Sequence, residues 1–246
     1  MKWMRFRDPA GAVRTGEYAE DTVAFGGQRY DVADVDVLPP TEPTKVVCVG
    51  RNYVDHAAEM DNDVPDRPML FLKGPNAVAG HGDRVRTPAG RDHIDHEAEL
   101  GVVIDEDCRN VDRDEAMDVV AGFTCVNDLS NRADQRREQN WVRGKAFDGA
   151  APTGPVVATP DEVPAEAAVR CRVNGEQRQS GHRGQMVFDV PELIAEITRY
   201  LTLAEGDVIA TGTPDGVGRV TDGDEVTVEI EGVGTLQHTV AVPGTP

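Results

Sequence analysis

Short apolar or alternating runs, bounded by Gly, Pro, Asn and Asp, recur along nearly the whole 246-residue chain, and few segments carry a helical period. Strands must pair to satisfy their backbone N–H and C=O groups, so this pattern commits the chain to sheets with a few covering helices. The runs fall at 3–7, 13–18 and 22–25, then at 69–72, 98–104, 121–127, 169–178, 207–211, 225–230 and 235–242. Asn174-Gly175 in the middle of one run is a strong hairpin signal. The clearest helix spans 189–201: Asp189 is placed to cap it, Pro191 sits in its first turn, and Glu192 has capping-box spacing. Leu193, Ile194, Ile197, Tyr200 and Leu201 make its apolar face. A shorter helix is expected after Val111, with Asp112 and Glu115 in capping-box spacing, and another from Ser130. This order lacks the regular strand–helix alternation of a doubly wound sheet or a βα barrel. The expected fold class is mixed, largely antiparallel β with few helices. The break Leu38-Pro-Pro-Thr-Glu-Pro43 divides a small N-terminal β unit, residues 1–40, from the main domain, residues 45–243.

Composition narrows the function. A formal charge of −19 argues against nucleic acid and anionic membranes as partners, because both would repel the surface. The only lysines are Lys2, Lys45, Lys73 and Lys145; the remaining basic side chains are arginines. Acid excess with scarce Lys resembles the cytosolic proteins of salt-accumulating halophiles, where salt screens self-repulsion. No apolar stretch reaches the length of a membrane span, and a cytoplasmic location is expected. Cys48, Cys108, Cys125 and Cys171 are widely spaced, without a zinc pattern, and read as reduced core residues.

One strand-like run carries chemistry. Residues two apart on a strand face the same side, so Glu97 and Glu99 in His93-Ile-Asp-His-Glu-Ala-Glu-Leu-Gly101 can present two carboxylates to one point. Asp128, at the end of Gly122-Phe-Thr-Cys-Val-Asn-Asp128, can supply a third. Three carboxylates without Cys or His describe a hard oxygen site suited to Mg²⁺, Mn²⁺ or Ca²⁺.

Six motifs then occur in order: Gly50-Arg-Asn-Tyr-Val-Asp-His56-Ala-Ala-Glu59, Pro68-Met-Leu-Phe-Leu-Lys-Gly-Pro75, His96-Glu-Ala-Glu-Leu-Gly101, Asn127-Asp-Leu-Ser-Asn-Arg132, Gly144-Lys-Ala-Phe-Asp148 and Thr211-Gly-Thr-Pro-Asp-Gly-Val-Gly218. Together they closely resemble the fumarylacetoacetate hydrolase family, over about residues 45–242. The resemblance implies a β-sandwich roll, a homodimer and one Mg²⁺ or Mn²⁺ per subunit, bound by Glu97, Glu99 and Asp128. Its smaller members include acylpyruvate hydrolases, 2-hydroxyhepta-2,4-diene-1,7-dioate isomerases and β-keto acid decarboxylases.

The resemblance also implies roles. His56 and Glu59 match a dyad that deprotonates water, on a segment that is often a mobile lid with Gly50 and Asn52 before it. Lys145, the only lysine in the second half of the chain, would stabilise an oxyanion or a substrate carboxylate. Arg132 and Gln135 match positions that face the ligand, and Gly212 and Thr213 belong to a carboxylate-binding loop. This chain has Asn131-Arg-Ala-Asp134 where the family usually has Ala-Arg-Asp, and Ala150-Ala151 in place of a frequent Phe-Cys pair; both changes bear on substrate choice. The expected activity is metal-dependent C–C hydrolysis of acylpyruvates or related 1,3-diketo acids through a metal-bound enolate. Isomerisation of 2-hydroxydienedioates, or oxaloacetate-type decarboxylation, is the alternative on the same scaffold. A non-catalytic protein that binds metal or small acids is a third reading.

Overall fold

The computed structural model describes residues 1–54, 65–91 and 93–244. Its centre is a twelve-stranded sheet in which Ala98–Ile104 pairs antiparallel with Val120–Asn127 on one side and Val208–Ala210 on the other. A five-stranded sheet packs on one face of it. Leu100, Val102, Phe123, Cys125 and Val156 from the large sheet share a core with Val169, Cys171, Val226, Val228, Leu236 and Val240 from the smaller one. Val46, Cys48, Val103, Val126, Val157 and Val208 form a second apolar cluster. Strands buried on both faces read as continuous apolar runs, which is why 98–104 shows little alternation. The architecture is the mixed, mostly antiparallel β fold expected from the sequence. All four cysteines are buried and unpaired.

Local chemistry explains most elements. Asn174 and Gly175 both have positive φ, as a tight hairpin turn requires, and they join Ala168–Val173 to Glu176–His182. The helix Val190–Tyr200 starts where expected, with the Asp189 side chain accepting a hydrogen bond from Glu192 N, and it buries Leu193, Ile194 and Ile197. The helix expected after Val111 is instead a run of 3-10 turns, Arg113–Val119, and Asp112 makes no side-chain cap bond. Ser130 does not open a helix: Ser130–Asn131 pairs with Ile94–His96, and the helix Arg132–Gln135 begins after it.

Two features were hidden from pattern reading. Ala151–Ala158 holds two prolines and a glycine, yet it lies inside the large sheet between Lys2–Arg7 and Val120–Asn127. A register irregularity between Phe123 and Cys125 lets the pairing tolerate them. The N-terminal strands Lys2–Arg7, Val13–Ala19, Thr22–Phe25 and Gln28–Asp31 extend this same sheet, joined to it by Lys2–Met4 pairing with Val156–Ala158. The proline-rich segment therefore breaks the chain but not the sheet. Among the described residues, no helix is long and apolar enough to cross a membrane.

Candidate metal centre

The strand Ala98–Ile104 sends Ala98, Leu100, Val102 and Ile104 into the main core, so its odd-numbered positions face the other way. Glu97 and Glu99 lie on that opposite side. Ala98 is in register with Asn127, and Asp128 N donates to Glu97 O at 2.8 Å, which sets Asp128 beside Glu97. One carboxylate oxygen from each of Glu97, Glu99 and Asp128 lies within 4.8 Å of the others, and all three residues are buried.

Three buried cations answer these acids. Lys145 Nζ donates to Glu97 Oε2 at 2.7 Å and to Asp128 Oδ2 at 2.8 Å. Lys73 Nζ lies 2.7 Å from Asp128 Oδ1, but its hydrogen bonds go to the carbonyls of Leu129, Lys145 and Ala150. Arg132 forks between Asp95 Oδ2 at 2.7 Å and Glu97 Oε1 at 2.6 Å, and its remaining arm donates to Gln135 Oε1 at 3.0 Å. Burial opposes the charge of Lys145, yet Asp128 and Glu97 outweigh it and push its pKa up, so the ammonium stays protonated. Burial, followed by the charges of Asp128 and Glu97, pushes the Glu99 carboxyl well above the usual carboxylate range.

These residues fit a hard divalent cation. Asp128 Oδ1 is buried and accepts no hydrogen bond, with only the charge of Lys73 beside it, and both burial and the neighbouring charges oppose ionisation of Glu99. An ion among the three carboxylates removes both penalties.

A layer of polar side chains fixes the carboxylates from behind. Gly212 N donates to Glu99 Oε2 at 2.8 Å; its φ of +98° and the 2.8 Å approach of Asn52 Cβ to any added Cβ leave room only for glycine. Thr213 Oγ1 donates to Ala98 O and accepts from Gln179 Nε2, while Gln179 Oε1 accepts from Ala98 N and meets His96 Nδ1. Asn127 accepts from Glu97 N and donates to His238 Nε2. Both backbone groups of Ala98, the residue between the two glutamates, are thus clamped. Asn52, on the sequence side of the expected lid, is a buried post bonded to Phe188 and Thr211.

The carboxylates open onto a cavity of about 200 Å³. Its apolar wall includes Phe71, whose ring packs edge-on against Trp141 at 5.4 Å and lies 5.1 Å from Lys145 Nζ. Gly144 lets the helix Val142–Lys145 approach Arg132–Gln135, since a Cβ there would meet Gln135 Cα at 2.8 Å.

The structure thus gathers Glu97, Glu99, Asp128, Lys145, Arg132, Gln135 and Thr213 around one space. At Arg132 and Thr213, and at the neighbouring Gly212, the donors expected to face a ligand are engaged within the protein. The guanidinium of Arg132 is taken by Asp95 and Glu97, the Gly212 amide by Glu99, and the Thr213 hydroxyl by Ala98 and Gln179, so each supports the site more than it offers a free donor. His56 and Glu59 lie outside the described residues. Sequence reasoning missed Asp95, Asn127, Gln179 and, above all, Lys73. The signal for Lys73 was present: it is one of four lysines and ends a strand motif.

A buried, three-carboxylate centre on a β-sandwich roll, lined by a lysine and an aromatic wall, defines a class of candidate hard-metal sites. Residues 45–241 match the family profile described as the C-terminal region of fumarylacetoacetate (FAA) hydrolase, and the chain belongs to that family. It is 39% identical over 230 residues to the oxaloacetate tautomerase YisK of Bacillus subtilis, covering 88% of this chain and 76% of the relative. A solved structure of 5-carboxymethyl-2-hydroxymuconate delta-isomerase from Mycobacterium smegmatis superimposes with a TM-score of 0.91 at 36% identity, covering 99% of this chain and 100% of that one. Fumarylpyruvate hydrolase from Pseudomonas aeruginosa, solved with Mn²⁺ and pyruvate, gives 0.77 at 31% identity, covering 92% and 98%.

Proposed function

We propose that this protein is a divalent-metal-dependent enzyme of small enolisable 2-oxo acids, and that its reaction is C–C hydrolysis of acylpyruvates or related 1,3-diketo acids. The observation that supports this most is the convergence of Glu97, Glu99 and Asp128 with a charged Lys145 at one partly apolar cavity. A Mg²⁺ or Mn²⁺ ion held by the three carboxylates would act as a Lewis acid toward the adjacent carboxylate and 2-oxo oxygens of such a substrate. Lys145 has two of its three N–H donors on Glu97 and Asp128, leaving one for an oxygen that gains charge. Gln135 has its oxygen engaged by Arg132, so its NH₂ is the end that meets substrate. Phe71 and Trp141 give that side of the cavity an apolar surface.

Hydrolysis adds water to the distal carbonyl and breaks the bond from that carbon to the CH₂ group. The electron pair leaves on the pyruvate fragment, which is then protonated, and the products are pyruvate and a carboxylic acid. His56 is assigned the proton of the attacking water, with Glu59 orienting its imidazole. A homodimer in a salty cytoplasm is the proposed setting.

The name of the Bacillus subtilis relative favours a second reading, in which the same site moves a proton between C3 and the 2-oxo oxygen and cleaves nothing. Turnover of acetylpyruvate, fumarylpyruvate, oxaloacetate and a 2-hydroxydienedioate in molar KCl, with Mg²⁺ or Mn²⁺ against a chelator, separates the two. Metal-dependent release of pyruvate with the matching acid supports the hydrolase. A spectral shift or CO₂ release without a new acid overturns it for the tautomerase or decarboxylase.

A further inference from the structure

The cavity wall carries two more cations, Arg51 and Arg136, and neither has an ion pair or a side-chain hydrogen bond among the described residues. This contrasts with every other cation around the site. Lys73, Lys145 and Arg132 are each committed to buried acids. Asp95, Glu97, Glu99 and Asp128 against those three cations leave the inner cluster one negative charge from neutrality, and a divalent ion reverses that sign. Arg51 and Arg136 then add positive charge that no ion pair among the described residues balances, in a chain whose formal charge is −19. A cationic cavity on so acidic a surface focuses the field on anions.

The backbone supports the same reading independently. Six described non-glycine residues have positive φ; four are Glu, Asp or Asn (Glu20, Asp21, Asn110, Asn174), and the other two are Arg51 at 58° and Trp141 at 55°. Both line this cavity. The left-handed region is uncommon for a long or bulky side chain, and strain of this kind gathers where a side chain must be aimed. Trp141 packs against Phe71, and Arg51 lines the open space.

We infer that Arg51 and Arg136 form a second anion subsite in the cavity, which selects substrates carrying a distal carboxylate in addition to the 2-oxo acid head. The inference rests on the reading of the carboxylate centre as a 2-oxo acid site. The head group is held at the carboxylate centre, the chain between the acid groups runs along Phe71 and Trp141, and the far carboxylate meets the guanidinium groups. Guanidinium suits this role because its fork matches a carboxylate.

The test is calorimetric binding of two inert acids, pyruvate and 2-oxoglutarate, to the Mg²⁺-loaded protein at one fixed KCl concentration. Wild type is compared with Arg51→Gln, Arg136→Gln and the double variant, each first shown to bind Mg²⁺. Wild type is expected to hold 2-oxoglutarate about tenfold or more tighter than pyruvate, and the double variant to bring that ratio close to one. A ratio that is flat in wild type, or unchanged in the double variant, overturns the subsite while leaving the 2-oxo acid reading standing. If neither acid binds wild type, that underlying reading fails and the subsite with it.

Discussion

Lys73 shows how much a single side chain carries here. Its ammonium is fully buried, tied to three backbone carbonyls and set against Asp128, so it supports a metal ligand and stitches three segments together. Removing one partner of such a buried set leaves the other charge uncompensated. Lys73→Met is expected to destabilise the metal-free protein by about 3–5 kcal/mol, measured by denaturant unfolding in molar KCl. A loss under about 1 kcal/mol would show that Asp128 does not depend on it. The three carboxylates, Lys145 and Gln135 were legible from strand periodicity, lysine scarcity and motif order. The inward commitment of Arg132, Gly212 and Thr213 was not, because a sequence names donors without saying which acceptors the fold brings to them.

At the level of elements, the site depends on how the strand bearing Glu97 and Glu99 is held between its neighbours. Gln179, from Glu176–His182 of the five-stranded sheet, reaches across to bond Ala98 N and Thr213 Oγ1, and it also donates to Pro214 O. It touches no carboxylate, but it fixes the backbone between two of them. Gln179→Leu is expected to keep the fold and lower Mn²⁺ affinity by about 10- to 100-fold, the usual effect of losing an outer-layer hydrogen bond at a metal site. Unaltered affinity with an intact circular dichroism spectrum would show that the strand holds itself. Such a contact joins residues about eighty positions apart, and no local pattern announces it. The same reason hid Ala151–Ala158, whose prolines argue against a strand until Lys2–Arg7 and Val120–Asn127 enclose it. Where local chemistry suffices, at Asn174-Gly175 and at Asp189, sequence and structure agree.

Across the whole molecule, titration of buried groups sets the acid limit of stability. Burial is the main cause that pulls the His238 pKa down to about 4, with the nearby His96 adding to it. The folded chain therefore keeps His238 neutral between about pH 6.5 and 4, while the unfolded chain binds a proton there. Stability conferred by the neutral ring is complete above that window and is lost as pH falls through it, by on the order of 3 kcal/mol. His238→Gln, which keeps an acceptor for Asn127, is expected to flatten the slope of unfolding free energy against pH in this window. An identical slope in both proteins would place the acid sensitivity elsewhere. Strand alternation puts His238 on the same face as the core residues Leu236 and Val240, but its full enclosure and its bond to Asn127 come only when the two sheets close over it.

The same scale holds the central claim, because an acidic molecule attracts cations everywhere and only a built site binds one specifically. The most direct measurement is a Mn²⁺ titration followed by electron paramagnetic resonance in molar KCl, where surface association is screened. Wild type is compared with Glu97→Gln, Glu99→Gln and Asp128→Asn. One tight ion per chain in wild type, lost or weakened by at least about 100-fold in each variant, is the predicted result. Tight binding that survives all three substitutions would place the ion elsewhere and contradict the account.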